Sequence, residues 1–400
     1  MNPIPYGKQN ITQNDIDQVV KVLKSDYLTQ GPNIDLFEQN FSKYVGSNYS
    51  VAVSNGTAAL HLSVIALGLK NGDKVITSPL TFAATANSIR YCGGEVIFSD
   101  IDPKTYLLDY DSVKNLIESY PKGTFKGIIP VDFAGRAVDL EKFKNLAIEN
   151  EMWILEDSCH SPGGFFIDSK NKHQKCGNGK YADLSIFSFH PVKHIACGEG
   201  GMITTNNKTL YKKLRILRTH GITKLNNDFK NQLDVASGLN QKESITYPKW
   251  YMEMQILGYN YRITEIQAAL GISQLKRAKT GVKKRRKIAE FYFNFFNGKH
   301  YIINQSGLVE GHAYHLYVLE VKNRLGLYNH LLKNKIYAQI HYFPCHLMPY
   351  YRNLGYNIGD FPVIEKYYKN CISIPMYPEL NENQLKIITN TINSFYESKY

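Results

Sequence analysis

Seven short apolar runs recur in the first half of the chain, and segments with a helical period separate several of them. They occupy residues 50–53, 74–78, 95–99, 127–131, 153–155, 184–189 and 202–205. Parallel strands need a crossover between them, usually a helix, so this alternation predicts an α/β domain built on a mostly parallel seven-stranded sheet. The run at 202–205 follows closely on a loop and is the expected antiparallel member.

The second half of the chain has fewer apolar runs and several Pro-rich turns. A chain of 400 residues with 43% hydrophobic content can bury one large core and a smaller one. We therefore expect a large domain over residues 1–248 and a smaller α+β domain over residues 249–400. The elements expected in the smaller domain are helices at 264–278 and 382–396 and strands at 314–321 and 337–342.

A lysine follows the sixth apolar run, in the segment 183–201 that reads DLSIFSFHPVKHIACGEGG. Lys193 has apolar neighbours at Val192 and Ile195, and desolvation of an amine favours its neutral, nucleophilic form. Ser188 and the glycine-rich turn suit an anchored phosphate. Together these features suggest pyridoxal 5′-phosphate (PLP) as a cofactor. Taken alone, the segment also fits a strand that ends in a polar loop with an ordinary surface lysine.

An acid that could pair with the pyridine nitrogen of PLP occurs in WILEDSCHSPGG, residues 153–164. Asp157 ends a buried run, and open α/β sheets bind their ligands beyond the carboxyl ends of the strands. His160 could hydrogen-bond the ring hydroxyl or lie against the ring. The alternatives are a carboxylate that caps a helix and a histidine with a structural role.

Two further segments supply a possible anion site and an aromatic ring. Gly56 and Thr57 open a helix after the first run, where free backbone N–H groups and the helix dipole attract anions. The segment lacks the P-loop pattern, which argues against ATP. Phe82 follows the second run and could lie on the face of a pyridine ring, although it could equally belong to the core.

These four segments, in their order along the chain, resemble those of the fold-type-I sugar aminotransferases of the DegT/DnrJ/StrS family. The resemblance implies a PLP-dependent transaminase in which Lys193 forms the Schiff base with PLP. It also implies that Asp157 pairs with the pyridine nitrogen and that His160 lies beside the ring hydroxyl. The remaining PLP contacts that the resemblance implies within the same chain are Gly56, Thr57, Phe82 and Ser188.

The segment 257–271, LGYNYRITEIQAALG, resembles the GxNxR segment of the same family. In that family the segment reaches across a dimer interface toward the PLP phosphate of the partner subunit. The resemblance therefore implies a homodimer with shared active sites, in which Asn260 and Arg262 are candidates for this contact.

The N-terminal segment and residues 341–351 resemble one branch of the family, which serves pseudaminic acid biosynthesis. This resemblance implies transfer of an amino group from L-glutamate to C4 of a UDP-4-keto-6-deoxy-N-acetylhexosamine. The product would be a UDP-4-amino-4,6-dideoxy-N-acetyl-β-L-altrosamine. The alternatives are another nucleotide-sugar 3- or 4-aminotransferase, a PLP-dependent sugar dehydratase and a non-catalytic regulatory relative. The dehydratases resemble a pattern with histidine in place of the lysine, which this chain retains as Lys193.

Candidate sugar-binding residues come from two segments that could cover a cofactor cleft. One precedes the first sheet strand, and the other begins near a strand end of the second domain and closes with an X-Pro turn. Tyrosine and histidine offer flat surfaces and single hydrogen bonds, which suit a uracil ring or a hexose edge. The alternative is that both segments pack the domain junction. The candidates are Tyr6, Leu28, Thr29, Gln30, His341 and Tyr342.

Charge and cysteine content bear on the remaining classes of function. The formal net charge is +12, but lysine is spread along the whole chain, and the basic run 283–287 resembles the solvated face of a helix. We therefore expect no nucleic-acid partner, although a basic surface favours approach of an anionic UDP-sugar. Six scattered cysteines indicate reduced thiols and no metal site. Without a signal segment or a long apolar run, a cytoplasmic, non-membrane location is expected.

Overall fold

The computed structural model describes residues 2–238 and 246–397, and its largest element is a seven-stranded sheet covered by helices. The strands are β1 (Tyr49–Val53), β2 (Lys74–Thr77), β3 (Glu95–Phe98), β4 (Phe125–Ile129), β5 (Trp153–Asp157), β6 (Phe165–Ile167), β7 (His173–Lys175), β8 (Leu184–Ser188), β9 (Gly201–Thr205), β10 (Ile222–Thr223), β11 (Glu253–Met254), β12 (Ile302–Gln305), β13 (Tyr317–Val321) and β14 (Cys371–Ile374).

The helices connect the strands and cover both faces of the sheet. They are α1 (Gln13–Leu23), α2 (Pro32–Val45), α3 (Gly56–Ala66), α4 (Ala83–Tyr91), α5 (Tyr110–Glu118), α6 (Leu140–Glu149), α7 (Lys208–Leu217), α8 (Leu233–Gly238), α9 (Glu265–Phe296), α10 (Arg324–Lys333), α11 (Pro349–Arg352), α12 (Pro362–Asn370) and α13 (Glu382–Glu397). Three short 3₁₀ segments lie at Phe133–Gly135, Asn226–Asp228 and Cys345–Leu347.

The large sheet has the strand order β1-β9-β8-β5-β4-β2-β3. Strand β9 pairs antiparallel with both β1 and β8, and the other neighbours pair in parallel. All seven predicted runs form strands of this sheet, and the predicted antiparallel member is β9. Because β1, β2, β5 and β8 point the same way, their carboxyl ends lie along one edge of the sheet.

The middle of the sheet is buried on both faces, as its continuous apolar runs predict. Val51, Val75, Leu155 and Ile186 are fully buried and share one core cluster with the residues of α3. Helix α3 has buried residues all around its axis, so it is held inside the layer rather than on its surface. This packing fixes the amino-terminal end of α3 against the edge of the sheet.

The second half of the chain differs from the prediction at two elements. The helix predicted at 264–278 continues to Phe296 as α9, because its apolar stripe extends from the α1 and α2 contacts into the C-terminal core. The strand predicted at 337–342 is wrong. Only single bridges form there, from Ile336 to Ile4 and from Gln339 to Ser373. His341 and Tyr342 line a cavity instead.

The N-terminal segment crosses to the C-terminal part of the molecule. The backbone N–H of Ile4 donates to the carbonyl of Lys335, and Ile4 is buried in the core cluster that contains β13 and β14. Met376 donates its N–H to the carbonyl of Tyr6, which fixes the position of that tyrosine. The division at residue 248 stays a prediction.

The basic run 283–287 lies on α9, but the prediction that it forms a solvated face is wrong for Arg285, which is 1% exposed. Its position on the helix, three residues before the buried Ile288, places it on the buried stripe. Within the described parts of the chain, no helix is long and apolar enough to cross a bilayer.

Candidate active site

A cavity of about 500 Å³ lies where the carboxyl ends of the parallel strands meet residues from the second half of the chain. It brings together most of the predicted site residues, which come from segments that are far apart in sequence. These are Tyr6, Gly56, Thr57, Phe82, Asp157, His160, Ser188, Lys193, His341 and Tyr342.

Lys193 enters this cavity from the loop that follows β8. The loop begins after Ser188, and the backbone N–H of Lys193 closes a turn by donating to the carbonyl of His190. Burial lowers the pKa of the Lys193 amine, and the nearby charge of Arg285 acts in the same direction. Lys193 is therefore a stronger nucleophile near neutral pH than a surface lysine.

Asp157 is the last residue of β5 and is 5% exposed. Thr85 donates its hydroxyl to Oδ2 at 2.7 Å, and the backbone N–H of Cys159 donates to Oδ1 at 3.2 Å. A buried carboxylate whose two oxygens both accept hydrogen bonds is fixed in orientation. This arrangement can hold a protonated pyridine nitrogen.

His160 has a defined tautomer because the backbone N–H of Ala134 donates to its Nδ1 at 3.3 Å. Burial holds the pKa of His160 well below its ordinary value, so the ring is neutral and carries its hydrogen on Nε2. Nε2 lies 3.2 Å from the hydroxyl of Tyr342 and donates to it. The Tyr342 hydroxyl can then donate its own hydrogen into the cavity. The expected contact of His160 with a ring hydroxyl stays a prediction.

An anion cradle lies at the amino-terminal end of α3. Asn55 caps the helix by accepting from the N–H of Ala58 at 2.8 Å, which leaves the first N–H groups of the helix free. A Cβ on Gly56 would lie 3.0 Å from Cβ of Ser188, so a side chain at position 56 would crowd the Ser188 hydroxyl. The cradle therefore combines the helix end with a hydroxyl at the end of β8.

Phe82 stands at the start of α4 and is 63% exposed, with its ring centroid 6.2 Å from that of Tyr342. The residues of the cavity fit PLP: an amine of lowered pKa for its aldehyde, a buried carboxylate for its ring nitrogen, and a helix end with a hydroxyl for its phosphate. Phe82 is in place to cover the ring face.

Four residues that the sequence did not single out also line this cavity. Asn55 caps the cradle, Thr85 and Cys159 hold Asp157, and His315 places its Nε2 3.4 Å from Nζ of Lys193. The cap could have been found, because Asn is a preferred residue before a helix. His315 is 122 residues from Lys193, and the strand predicted around it does not indicate which distant residue it contacts.

Five predicted residues do not line this cavity: Leu28, Thr29, Gln30, Asn260 and Arg262. Gln30 and Arg262 line a separate cavity together, and Asn260 forms a bridge with Thr219. Their predicted roles involve a partner subunit or a covering loop and stay predictions.

Comparisons with known proteins show the family of the chain. Residues 9–393 match the model of the DegT/DnrJ/EryC1/StrS aminotransferase family. A Campylobacter jejuni UDP-4-amino-4,6-dideoxy-N-acetyl-beta-L-altrosamine transaminase is 34% identical over 98% of both chains. The structure of Helicobacter pylori PseC, an aminotransferase involved in the biosynthesis of pseudoaminic acid, superposes with a TM-score of 0.85 at 28% identity, covering 99% of this chain and 100% of that one.

A structure of the putative sugar aminotransferase Spr1654 from Streptococcus pneumoniae in its PLP form has a TM-score of 0.86 and covers all of both chains at 26% identity. The family match spans nearly the whole chain, and the cavity holds the residues that PLP requires. The chain therefore belongs to the DegT/DnrJ/EryC1/StrS aminotransferase family and is a PLP-dependent sugar aminotransferase.

Proposed function

We propose that the enzyme transfers an amino group from L-glutamate to C4 of a UDP-4-keto-6-deoxy-N-acetylhexosamine. The product is a UDP-4-amino-4,6-dideoxy-N-acetyl-β-L-altrosamine. The observation that carries the proposal is the similarity to a transaminase of this name over 98% of the chain, together with the cavity around Lys193. A product of this kind fits a role in pseudaminic acid biosynthesis.

Lys193 is the group that moves protons in both halves of the reaction. When PLP is bound, its ring supplies an electron sink for the carbon that loses a proton. The lowered pKa of Lys193 lets Nζ accept a proton from the α-carbon of glutamate and later return one to the sugar carbon. Nε2 of His315 lies 3.4 Å from Nζ of Lys193 and orients the amine for the two proton transfers.

Asp157 and His160 act on the other groups of the site. The Asp157 carboxylate favours a positive charge on the ring nitrogen and is oriented for this by Thr85 and Cys159. His160 directs the hydroxyl of Tyr342, whose hydrogen is then available to an oxygen atom in the cavity. Neutral histidines around Lys193 avoid a second positive charge that would compete with the ring nitrogen for Asp157.

The sugar side of the site is the part of the cavity around Tyr6 and His341, whose ring centroids are 5.6 Å apart. His341 Nδ1 contacts the Ser373 hydroxyl at 2.9 Å, which fixes the ring. Burial lowers the pKa of His341 to about 3, so it is neutral and binds through hydrogen bonding and contact area. These properties suit a sugar edge or a uracil ring better than a diphosphate.

Positive charge for the diphosphate and for the cofactor phosphate would come in part from a second subunit. We propose a homodimer in which Asn260 or Arg262 of one subunit reaches the cofactor phosphate of the other. The support is that both residues lie outside the cavity of their own chain, and that Arg262 and Gln30 line a separate cavity. A cytoplasmic location is proposed from the substrates, which are intracellular metabolites.

The test is an assay of the purified PLP-loaded enzyme with L-glutamate and a panel of keto-sugars. The panel contains UDP-4-keto-6-deoxy-N-acetylhexosamines of both C5 configurations, a 3-keto analogue and a GDP-4-keto-6-deoxyhexose. We expect the highest kcat/KM with the β-L-arabino UDP-4-keto sugar, and a product whose amino group is at C4 by NMR.

Lys193→Ala should abolish turnover and the visible absorbance band of the bound cofactor. Lys279→Ala, at an exposed position of α9, is the matched control and should retain both. A preference for the 3-keto or the GDP sugar would replace the proposed substrate. A product that has lost a hydroxyl instead of gaining an amine would indicate a dehydratase.

A further inference from the structure

A second cavity, of about 300 Å³, reaches the segment of Lys193 and His194 from a different set of elements. Its walls are the N-terminal residues 8–12, one face of α9 and the turn at Pro378. Besides Lys193, five cationic side chains and one carboxylate line it: Lys8, Lys276, Arg277, Lys284, Arg285 and Glu379. We call it the Arg285 cavity.

Arg285 is a buried cation without an acidic partner. It is 1% exposed, and its Nη1 donates to the carbonyl oxygens of Tyr314, His315 and Met376. Over residues 2–238 and 246–397, no carboxylate lies within ion-pair distance of it. Its pKa is lowered by burial to about 10, so it remains charged at neutral pH. A buried charge is costly unless an opposite charge compensates it.

In the part of the chain that the structure describes, two residues that line the cavity also carry a buried donor without a partner. Nε of Arg285 and Nε of Arg277 are buried and lack hydrogen-bond partners among the described residues. Arg277 uses its Nη2 for both an ion pair with Asp15 and a hydrogen bond to the carbonyl of Asn10. Buried N–H groups are normally paired with protein, water or a ligand.

The acidic residue of the cavity, Glu379, favours the charged form of Arg285 only from beyond ion-pair distance, and burial still lowers the pKa of Arg285. Glu379 accepts from the Asn10 side chain at 2.6 Å and lies 3.7 Å from Nζ of Lys284. Space for a ligand is opened by Gly281, since a Cβ placed there would meet only Cγ of Pro378, at 3.7 Å. The cavity thus has room and a net positive lining, and two of its arginines each have a donor without a partner in the described chain.

We propose that the Arg285 cavity binds a small oxyanion, that is, a phosphate or carboxylate group. The ligand compensates the charge of Arg285 and is attracted by Lys276 and Lys284 at the mouth. Inorganic phosphate and a dicarboxylate such as 2-oxoglutarate carry the same oxyanion chemistry and are the two possible sources.

Binding is tested by isothermal titration calorimetry with inorganic phosphate, at constant ionic strength maintained with chloride. The PLP-loaded enzyme is used because the cofactor then occupies the anion cradle at α3. We expect saturable binding to one site per chain. Gly281→Leu, which fills the cavity, should weaken phosphate binding about tenfold or more, equivalent to roughly 1.4 kcal/mol.

The double variant Lys276→Gln/Lys284→Gln removes two charges at the mouth and should also weaken binding about tenfold. The double variant leaves the packing of α9 unchanged, so it still tests anion binding in the cavity if Gly281→Leu does not fold. Lys279→Gln removes a charge from the same helix outside the cavity and should bind phosphate like the parent.

A second titration, with 2-oxoglutarate, shows whether a phosphate or a dicarboxylate is the preferred ligand. Binding of either anion that Gly281→Leu weakens supports the proposal, and the tighter ligand identifies the source. Absence of saturable binding by both anions, or equal affinity in the parent and both cavity variants, overturns it. The titration requires no nucleotide sugar, so its result is independent of the proposed sugar substrate.

Discussion

His315 places its Nε2 3.4 Å from Nζ of Lys193, although 122 residues separate the two along the chain. The backbone at His315 is held on one side by Arg285, which donates to its carbonyl, and the preceding Ala313 and following Leu316 donate their N–H groups to the turn at 134–135. Burial keeps the pKa of His315 well below its ordinary value, so the ring is neutral. We interpret His315 as a positioning residue for the lysine.

His315→Leu should lower kcat by about tenfold and leave KM for glutamate nearly unchanged, because one neutral hydrogen bond contributes about 0.5–1.5 kcal/mol. His315→Gln keeps a hydrogen-bonding group and should restore most of the rate. Steady-state kinetics, with the visible cofactor band as a check on PLP content, measure both. Equal rates for the Leu variant and the parent would remove His315 from the mechanism.

Asp157→Asn should weaken PLP binding and reduce turnover strongly, since an amide cannot stabilise a protonated ring nitrogen. Thr85→Val removes only the hydrogen bond to Oδ2 and should weaken PLP binding by about tenfold, the lower end for bonds to charged groups. Thr85→Ser keeps the hydroxyl and is the matched control. Equilibrium dialysis measures the PLP affinity of each variant and so ranks them. The interpretation fails if Thr85→Val binds PLP as tightly as Thr85→Ser does.

Glu156 and Asp132 form a buried acidic pair with Cys176 beside them. Burial, with the nearby charge of Asp132, raises the pKa of Glu156 from 4.5 to about 8. Between these values the folded state keeps a proton that the unfolded state loses. The free energy of unfolding should therefore fall as pH rises from about 4.5 to about 8, by up to about 1.4 kcal/mol per pH unit, and level off above pH 8.

Glu156→Gln keeps an oxygen for the hydroxyl of Ser185 and the N–H of Gly177 but cannot ionise. Its unfolding free energy should depend less steeply on pH across this window. Urea unfolding at several pH values measures the slope. The exposed Glu118→Gln is the control and should keep the slope of the parent. An unchanged slope in Glu156→Gln would show that the proton is held elsewhere.

Mixing two inactive variants tests the proposed dimer. Lys193→Ala and Arg262→Ala subunits, exchanged at random, should give hybrids with one intact site and recover about a quarter of the parent activity. Lys193→Ala mixed with Asp157→Ala should recover none, because Lys193 and Asp157 line the cavity of the same chain. A monomer by light scattering, or recovery in the control mixture, would argue against the shared site.

Tyr6→Phe and His341→Ala should raise KM for the UDP-keto-sugar by about threefold to tenfold, as expected for loss of one hydrogen bond. The half-reaction with glutamate should be unchanged because it needs no nucleotide contact. Stopped-flow absorbance follows that half-reaction, and Tyr120→Phe on the exposed surface is the control. Equal losses in both half-reactions would assign Tyr6 and His341 to the cofactor or the fold.

The sequence by itself determined the seven strands and the residues at their ends. Asp157 and Ser188 each end a strand, and parallel strands bring their carboxyl ends to one edge. Lys193 follows the end of β8 and Gly56 follows the end of β1 by a few residues, so local order along the chain was enough to place them in one cavity. The family resemblance, which rests on the same short segments, was confirmed for the same reason.

Only the tertiary structure decided which distant residues complete the site. His315 and Thr85 reach Lys193 and Asp157 through packing between elements, and no period or spacing encodes such contacts. Packing also overrode composition at Arg285, where a basic run contains a buried cation. Periodicity reports which face of an element is apolar, but the identity of the neighbour across that face depends on how the whole chain folds.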